Sequence, residues 1–419
     1  MNIPEAFCQQ MSQILDQDTC QTFLNALEDK SSTSLRINHQ KSILTSDSLT
    51  AEDYLPFANM TPVPWATSSK GFYLAERPSF TMDPHFHAGR YYVQEASSML
   101  VGALLSPLLN DPVIALDLCA APGGKSTDLL STLPQGSILL SNEVIRSRAQ
   151  ILKENIIKWG NPNHIVTNND PADFKPLREA FDVIVTDVPC SGEGMFRKDI
   201  NAANEWSPEH VDLCVQRQQR IVSDIWESLR PGGFLVYSTC TYNLKENEQM
   251  VQWISDNLGA IPISSPTKLD EKWGVLGSLS KEYPNIPVYR CMPHKIKGEG
   301  FFCAILQKST DTIDANIQIG TEFTQNPLLS ISKTTLQSKK KLKLKKQDKK
   351  TGLSTQATTD IPWIDWLTPS DTWDSIWFQE TLYVYDKKMA QLITLAMSHL
   401  RILDMGIAIA SIKGTNYIP

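Results

Sequence analysis

The sequence predicts an α/β protein built on a doubly wound, mostly parallel sheet, with a small α+β module before it and a small domain after it. Three observations carry that prediction. From Tyr91 onward, short apolar runs alternate with helix-like amphipathic segments, the pattern of a parallel sheet covered on both faces. A glycine-rich turn, Asp117-Leu118-Cys119-Ala120-Ala121-Pro122-Gly123-Gly124-Lys125-Ser126, follows the first of these runs. Two later runs, FDVIVTDVPC (Phe181 to Cys190) and FLVYSTC (Phe234 to Cys240), stop abruptly, and each delivers a cysteine to the same sheet edge. In an open α/β sheet the ligand crevice lies beyond the strand carboxyl ends, so Asp187, Cys190 and Cys240 stand where chemistry is expected.

Residues 1 to 90 read as the small α+β module. Ile3 to Leu27 has apolar residues at roughly helical spacing, Ser34 to Asn38 reads as a strand, and Pro62-Val63-Pro64-Trp65 as an extended turn. Nothing in this stretch points to catalysis; His85 and His87 lack partners at metal-ligand spacing and read as a polar loop. In the core, a helix over Gln94 to Leu105 precedes a strand over Val113 to Leu118. After the glycine turn come a helix, a strand (Ser137 to Ser141) and a long helix (Arg146 to Trp159) closed by Gly160. A strand near His164 to Thr167 and the FDVIVTD strand follow. Ser207 as N-cap and Pro208 at the first helical position open a helix running to Leu229, and Pro231-Gly232-Gly233 leads into FLVYSTC. Val288 to Cys291 and Phe301 to Leu306 can pair antiparallel across a glycine-containing connection.

Beyond Gln307 the texture changes, so residues 308–355 read as a linker and 356–419 as a small C-terminal domain. That last piece is dense in aromatics (Trp363, Trp366, Trp373, Trp377, Tyr383), which read as core. The net charge is −7, but Lys333 to Lys350 carries nine lysines against one acid, or +8, which leaves −15 elsewhere. A local basic stripe is what phosphates meet, so the acidic total does not exclude RNA; a solvated spacer is the competing reading of the run. The N-terminus has no basic region followed by an apolar stretch, and no apolar run reaches the roughly 18 residues of a membrane span. A cytoplasmic protein is expected, with a monomer as default. The eight cysteines include no C-x-x-C pair, which disfavours a zinc site or a disulfide framework.

Glycines in the 117–126 turn let backbone approach a ligand, and the following helix offers its N-terminal N–H groups to an anionic group. The Gly124-Lys125-Ser126 ending imitates a P-loop, but that motif needs glycine where Cys119 stands, and the dinucleotide G-x-G-x-x-G is missing from the turn. Glu143, closing the next strand, is placed for a ribose diol, and Asp170, after the third, for an adenine edge. In this order the acids outline a nucleoside pocket with a carboxylate end, as S-adenosylmethionine requires.

DLCAAPGGKS, TDVPCSGEGMFRKD and LVYSTCTYN resemble the RNA (cytosine-5) methyltransferases of the Sun/Fmu type. GRYYVQEASSM and PHKIKGEGFF are similar to further blocks of that family, so the resemblance covers nearly all of residues 1 to 307. It implies a Rossmann-like S-adenosylmethionine-dependent methyltransferase fold over 91–307, an RNA-binding-type module over 1–90, and methylation of C5 of a cytosine in small-subunit (16S) rRNA. By the same resemblance Cys240 is the nucleophile, Cys190 assists release of the adduct, and Asp187 holds the cytosine edge near the cofactor's methionine end. Cys119, Ala120, Ala121, Pro122, Gly123, Gly124, Lys125, Glu143, Asp170 and Asp187 are the implied cofactor-binding residues. The chemistry explains the thiol: C5 of cytosine is a poor nucleophile, and addition of a thiolate at C6 turns the ring into an enamine able to take a sulfonium methyl. Such a thiol needs an electropositive setting, for which Lys125, Arg197 and Lys198 are candidates. Cys8, Cys20, Cys214, Cys291 and Cys303 match no catalytic motif and read as structural.

In the family a segment like Leu403 to Pro419 leads into a PUA-type RNA-binding domain. This chain stops there, so the expectation is either substrate recognition without that domain or a truncated product. Two rival readings stand beside the main one: the same chemistry on tRNA, and a non-catalytic RNA-binding or assembly factor. The intact Cys190, Asp187, Cys240 and AAPGGK turn argue against the second.

Overall fold

A computed structural model describes residues 3–41, 55–66, 70–310, 325–329, 371–413 and 416–418. The lysine run, Trp363 and Trp366 lie outside the described residues. At the N-terminus the helical spacing resolves into two helices, α1 (Glu5–Ile14) and α2 (Gln17–Ala26), divided where the Asp16 carboxylate caps α2 by accepting the Thr19 N–H at 3.0 Å. Four strands follow, β1 (Thr33–Ile37), β2 (Thr61–Pro62), β3 (Gly71–Leu74) and β4 (Tyr91–Val93), in an antiparallel sheet of order β2-β3-β1-β4. The expected division after residue 90 therefore falls just before the last strand of this sheet. His85 and His87 serve locally, the first bonded to Arg90 and the second to the Thr81 carbonyl.

The helix expected from Gln94 starts later. A tight turn over Ser97–Met99 precedes α3 (Leu100–Leu105), because the Glu95 carboxylate takes the backbone N–H groups of Ser97 and Ser98 and so sets the helix entry itself. From there strand and helix alternate as the sequence predicts: β5 (Ile114–Asp117), α4 (Gly124–Thr132), β6 (Ile138–Asn142), α5 (Arg146–Trp159), β7 (His164–Thr167), β8 (Phe181–Asp187), α6 (Pro208–Ile225) and β9 (Leu229–Thr239). Ser207 caps α6 with Pro208 at its first position, and Gly160 ends α5 at φ 85°. α7 (Glu248–Leu258), β10 (Ala260–Ile263), β11 (Tyr289–Cys291) and β12 (Phe301–Lys308) complete the core, with β11 and β12 paired antiparallel.

These strands form one sheet of order β10-β12-β9-β8-β5-β6-β7 with β5 to β9 parallel and β12 antiparallel to β9. The chain runs outward from β5 through β6 to β7, then returns to the other side of β5 for β8 and β9. That reversal opens a crevice at the carboxyl ends of β5 and β8. Ile114, Leu116, Ile184 and Leu235 face one apolar layer while Ala115, Val183, Val185 and Val236 face the other, which is why the strands read as near-continuous apolar runs.

The C-terminal residues depart from the expected small separate domain. β13 (Trp373–Phe378) and β14 (Thr381–Asp386) form a hairpin, α8 (Ala390–His399) follows, and β15 (Ile402–Met405) pairs antiparallel with β7, extending the central sheet by one edge strand. β16 (Ile407–Lys413) and β17 (Asn416–Ile418) then return to β14 to finish a second sheet. Met389, Leu392, Ile393 and Met405 belong to the same apolar cluster as Phe174, Leu177 and Val222 of the core. The pairing is anchored by a buried hydrogen bond of 2.9 Å between His164 on β7 and Asp404 on β15. An exposed strand edge is a liability, and this piece covers it.

Candidate active site

The glycine-rich turn leaves β5 at Asp117 and enters α4 at Gly124. Gly123 adopts φ 116°, a conformation that side chains with a Cβ avoid, so glycine is required for the chain to turn there. A cavity of about 190 Å³ lies over the turn, lined by Cys119, Ala120, Ala121, Pro122, Gly124, Lys125 and Asp187. Its other wall comes from the N-terminal sheet and the residues just after it: Tyr92, Val93, Gln94, Glu95 and Ser98. Asp117, fully buried, has one carboxylate oxygen held by the Ser126 hydroxyl at 2.7 Å and the other without a hydrogen-bond partner among the described residues. Burial, only partly offset by that hydrogen bond, pushes its carboxyl up to about 7.

Lys125 is the first cation of the site. Its ammonium lies 2.8 Å from Asp187 Oδ2 and 5.1 Å from the centre of the Phe301 ring. Burial works against the charge, but Asp187, with Asp117 and Cys240, outweighs it, so the ammonium is held above its ordinary value. Asp187 ends β8 beside Ser238 of β9, whose hydroxyl donates to Oδ1 at 2.9 Å. Both carboxylate oxygens are therefore oriented, and the side chain keeps about a third of its surface exposed to the crevice.

The two cysteines converge. Cys190 Sγ and Cys240 Sγ are 3.3 Å apart. The Cys190 thiol is held well above its ordinary value, first by its hydrogen bond to Cys240, then by burial, then by the charges of Cys240 and Glu246. The loops that follow the two cysteines meet where the Gly194 N–H donates to the Cys240 carbonyl at 2.7 Å. A Cβ at Gly194 would stand 2.8 Å from that oxygen and from the Gly300 oxygen, so no larger residue fits this approach.

Of the three candidate cations, Lys125 pairs with Asp187, while Arg197 bonds Glu299 at 2.7 Å and Lys198 approaches the same carboxylate at 3.7 Å. Glu143 is buried at the end of β6, with Oε1 accepting the Ile145 N–H at 2.9 Å and Oε2 3.7 Å from Arg148. Asp170 caps the turn at Pro171–Phe174 and pairs with Arg220 at 3.3 Å. Glu143 and Asp170 follow the neighbouring strands β6 and β7 on the same sheet edge, outside the lining of the cavity over the turn. Cys119 lines the cavity, and burial raises its thiol far above the ordinary range, leaving it protonated. Cys20, Cys214, Cys291 and Cys303 are buried, Cys8 half-buried.

Sequence reasoning missed Arg36. This fully buried residue of β1 donates to the Gly124 carbonyl at 3.1 Å, the Thr127 carbonyl at 3.3 Å and Gln94 Oε1 at 2.6 Å, and lies over the Trp159 ring. It ties the N-terminal sheet to the first turn of α4, directly behind the glycine turn. The only signal was an arginine inside an apolar strand, SLRIN.

Most of the chain is similar to known proteins. Residues 103–307 match the family model described as 16S rRNA methyltransferase RsmB/F, and residues 3–96 the one described as the N-terminal domain of 16S rRNA methyltransferase RsmF. The ribosomal RNA small subunit methyltransferase F of Erwinia tasmaniensis is 34% identical over 311 residues, covering 73% of this chain and 63% of its own. That of Klebsiella pneumoniae is 36% identical over 320 residues, covering 73% and 64%. A methyltransferase homolog protein from Pyrococcus horikoshii, a solved structure, is 29% identical with a TM-score of 0.60, over 73% of this chain and 96% of that one. NSun6 from Pyrococcus horikoshii, solved with SFG, shares the fold at 20% identity and a TM-score of 0.59, over 74% and 99%. Fold and site together define the class, a Rossmann-like methyltransferase fold with paired thiols at its crevice. The chain belongs to the 16S rRNA methyltransferase RsmB/F family. It spans about 63% of the length of the Erwinia relative.

Proposed function

We propose that this protein transfers a methyl group from S-adenosylmethionine to C5 of a cytosine in 16S rRNA, through a covalent bond between Cys240 and C6. The observation that carries the reading is the 3.3 Å pair of thiols beside the Lys125–Asp187 ion pair, at the carboxyl edge of β8 and β9. The residues present fit the cofactor. The φ 116° glycine, the first residues of α4, Gly124 and Lys125, and the cavity they line over the turn form a cradle for a polar, nucleoside-sized group. Cys119 to Lys125 would hold it through backbone and Glu143 would meet the ribose; Asp170 would reach the adenine edge by exchanging its Arg220 partner. When bound, the group supplies an electrophilic methyl on a sulfonium.

The chain's own residues do the rest. The Cys240 sulfur gives an electron pair to C6, and the C5=C6 pair becomes the enamine that makes C5 nucleophilic. Asp187, held by Lys125 and Ser238, accepts a hydrogen bond from the amine of the cytosine edge and orients the ring for attack, while the Lys125 ammonium beside it opposes the negative charge that attack puts on N3. After methylation the C5 proton passes to water and its bonding pair restores C5=C6. The S–C6 pair returns to Cys240, whose thiolate accepts the hydrogen bond of the Cys190 thiol. The base must be presented unstacked, since C6 attack needs the ring face.

The test is Cys240→Ala, assayed with labelled cofactor on small-subunit RNA. Loss of transfer with cofactor binding retained is expected; wild-type transfer would remove Cys240 as nucleophile.

A further inference from the structure

The loops that carry the two cysteines are laced by two buried carboxylates, each supplied by one loop to the other. Glu193, in the Cys190 loop, accepts the backbone N–H groups of Tyr242 at 2.6 Å and Asn243 at 2.9 Å, both in the Cys240 loop. Glu246, in the Cys240 loop, accepts the N–H of Ser191 at 2.9 Å and its hydroxyl at 2.5 Å, next to Cys190. The Asn243 amide donates to Glu246 at 2.6 Å. Gln218 of α6 closes the arrangement, donating to Glu246 at 2.8 Å and to the Pro189 carbonyl at 3.1 Å. The backbone is therefore gripped on both sides of Cys190, at Pro189 and at Ser191, by one connected network.

Both carboxylates are fully buried. A buried carboxylate is costly, and Glu246 is held above the ordinary carboxylate range mainly by burial, with its hydrogen bonds opposing. Joining two loops needs only a neutral amide. A carboxylate also accepts every donor aimed at it without offering one back, and its charge lies beside a thiol that must keep its proton.

We propose that Glu246 is a positioning residue for Cys190 in adduct release, with Gln218 as its support. It holds the Cys190 thiol on the departing Cys240 sulfur, while attack by Cys240 proceeds without it. This rests on the covalent reading above.

The experiment uses the full chain, small-subunit RNA and S-adenosylmethionine, and compares wild type, Cys190→Ala and Glu246→Gln for SDS-resistant RNA–protein adduct and for single-turnover release. Glu246→Gln keeps the size but turns a donor toward the donors of Ser191 or Asn243. Accumulated adduct, as in Cys190→Ala, and release slower by about 10- to 100-fold are expected, with adduct formation near the wild-type rate. A purely structural role would slow formation and release together. Wild-type release by Glu246→Gln, beside trapped adduct in Cys190→Ala, overturns the assignment of Glu246 alone. No adduct in Cys190→Ala, with cofactor bound, overturns the release role of Cys190 and this proposal with it, while attack by Cys240 stands or falls on Cys240→Ala. If Glu246→Gln does not bind cofactor, Gln218→Leu and Ser191→Ala carry the test, each expected to slow release by a smaller factor; release at the wild-type rate in both overturns the proposal.

Discussion

Two charged groups at the glycine turn resolve opposite conflicts at the scale of single residues. Lys125 is largely buried yet stays charged because Asp187 is 2.8 Å away. Asp117 is buried with no ion pair among the described residues, and its carboxyl rises from the ordinary 3.8 to about 7. An acid held above its ordinary value takes up a proton on folding, so stability falls as pH rises from about 4 to about 7 and levels off beyond. A shift of that size corresponds to about 4 kcal/mol. Asp117→Asn cannot titrate and should remove this slope. Urea unfolding without cofactor, followed across that pH range, should show the variant gaining on wild type by up to that amount; parallel pH profiles would contradict the account.

The N-terminal sheet and the glycine turn act together at the scale of elements. Arg36 reaches across from β1 to hold Gly124 and Thr127 in the first turn of α4, while Tyr92 and Gln94 wall the cavity. α1 and α2 support the other side, where Phe7 meets Phe196 at 5.1 Å and Phe23 meets Tyr242 at 4.9 Å, next to the loops of Cys190 and Cys240. The module read as free of catalytic signals thus shapes the site without supplying a reactive group. Arg36→Met keeps the bulk but removes the guanidinium's donors to the two carbonyls and to Gln94, and its charge beside Asp128. Breaking a buried charged network costs about 3–5 kcal/mol. The loosened turn should bind S-adenosylmethionine about tenfold more weakly. Thermal melting and titration calorimetry measure the two effects, and a lower melting temperature with unchanged affinity would sever the link to the turn.

At the scale of the whole molecule, β15 joins the C-terminal residues to the core sheet and α8 packs into the core's apolar cluster. Leu392→Ala empties a fully buried position in that shared cluster, at about 2–5 kcal/mol. The loss should appear in a single unfolding transition that includes the core strands; an early separate transition of the C-terminal piece would show that the two unfold independently. Much of the core was legible beforehand. Arg146–Trp159, His164–Thr167 and Phe181–Asp187 begin and end where the periodicity, the glycine cap and the polar stops place them. The union of β15 with β7 was not, because sheet pairing runs through backbone hydrogen bonds that carry no trace in residue identity.

The sequence by itself determined the doubly wound order, the glycine turn and the delivery of Asp187, Cys190 and Cys240 to one edge, since strand burial and turn chemistry are local and leave patterns in composition. Only the tertiary structure decided which groups meet there. Lys125 pairs with Asp187 and Arg197 with Glu299, Asp170 is engaged by Arg220, and Glu193 and Glu246 cross between loops that are far apart in the chain. Electrostatic and hydrogen-bond partners are chosen by distance in space, and no spacing along the chain encodes that distance.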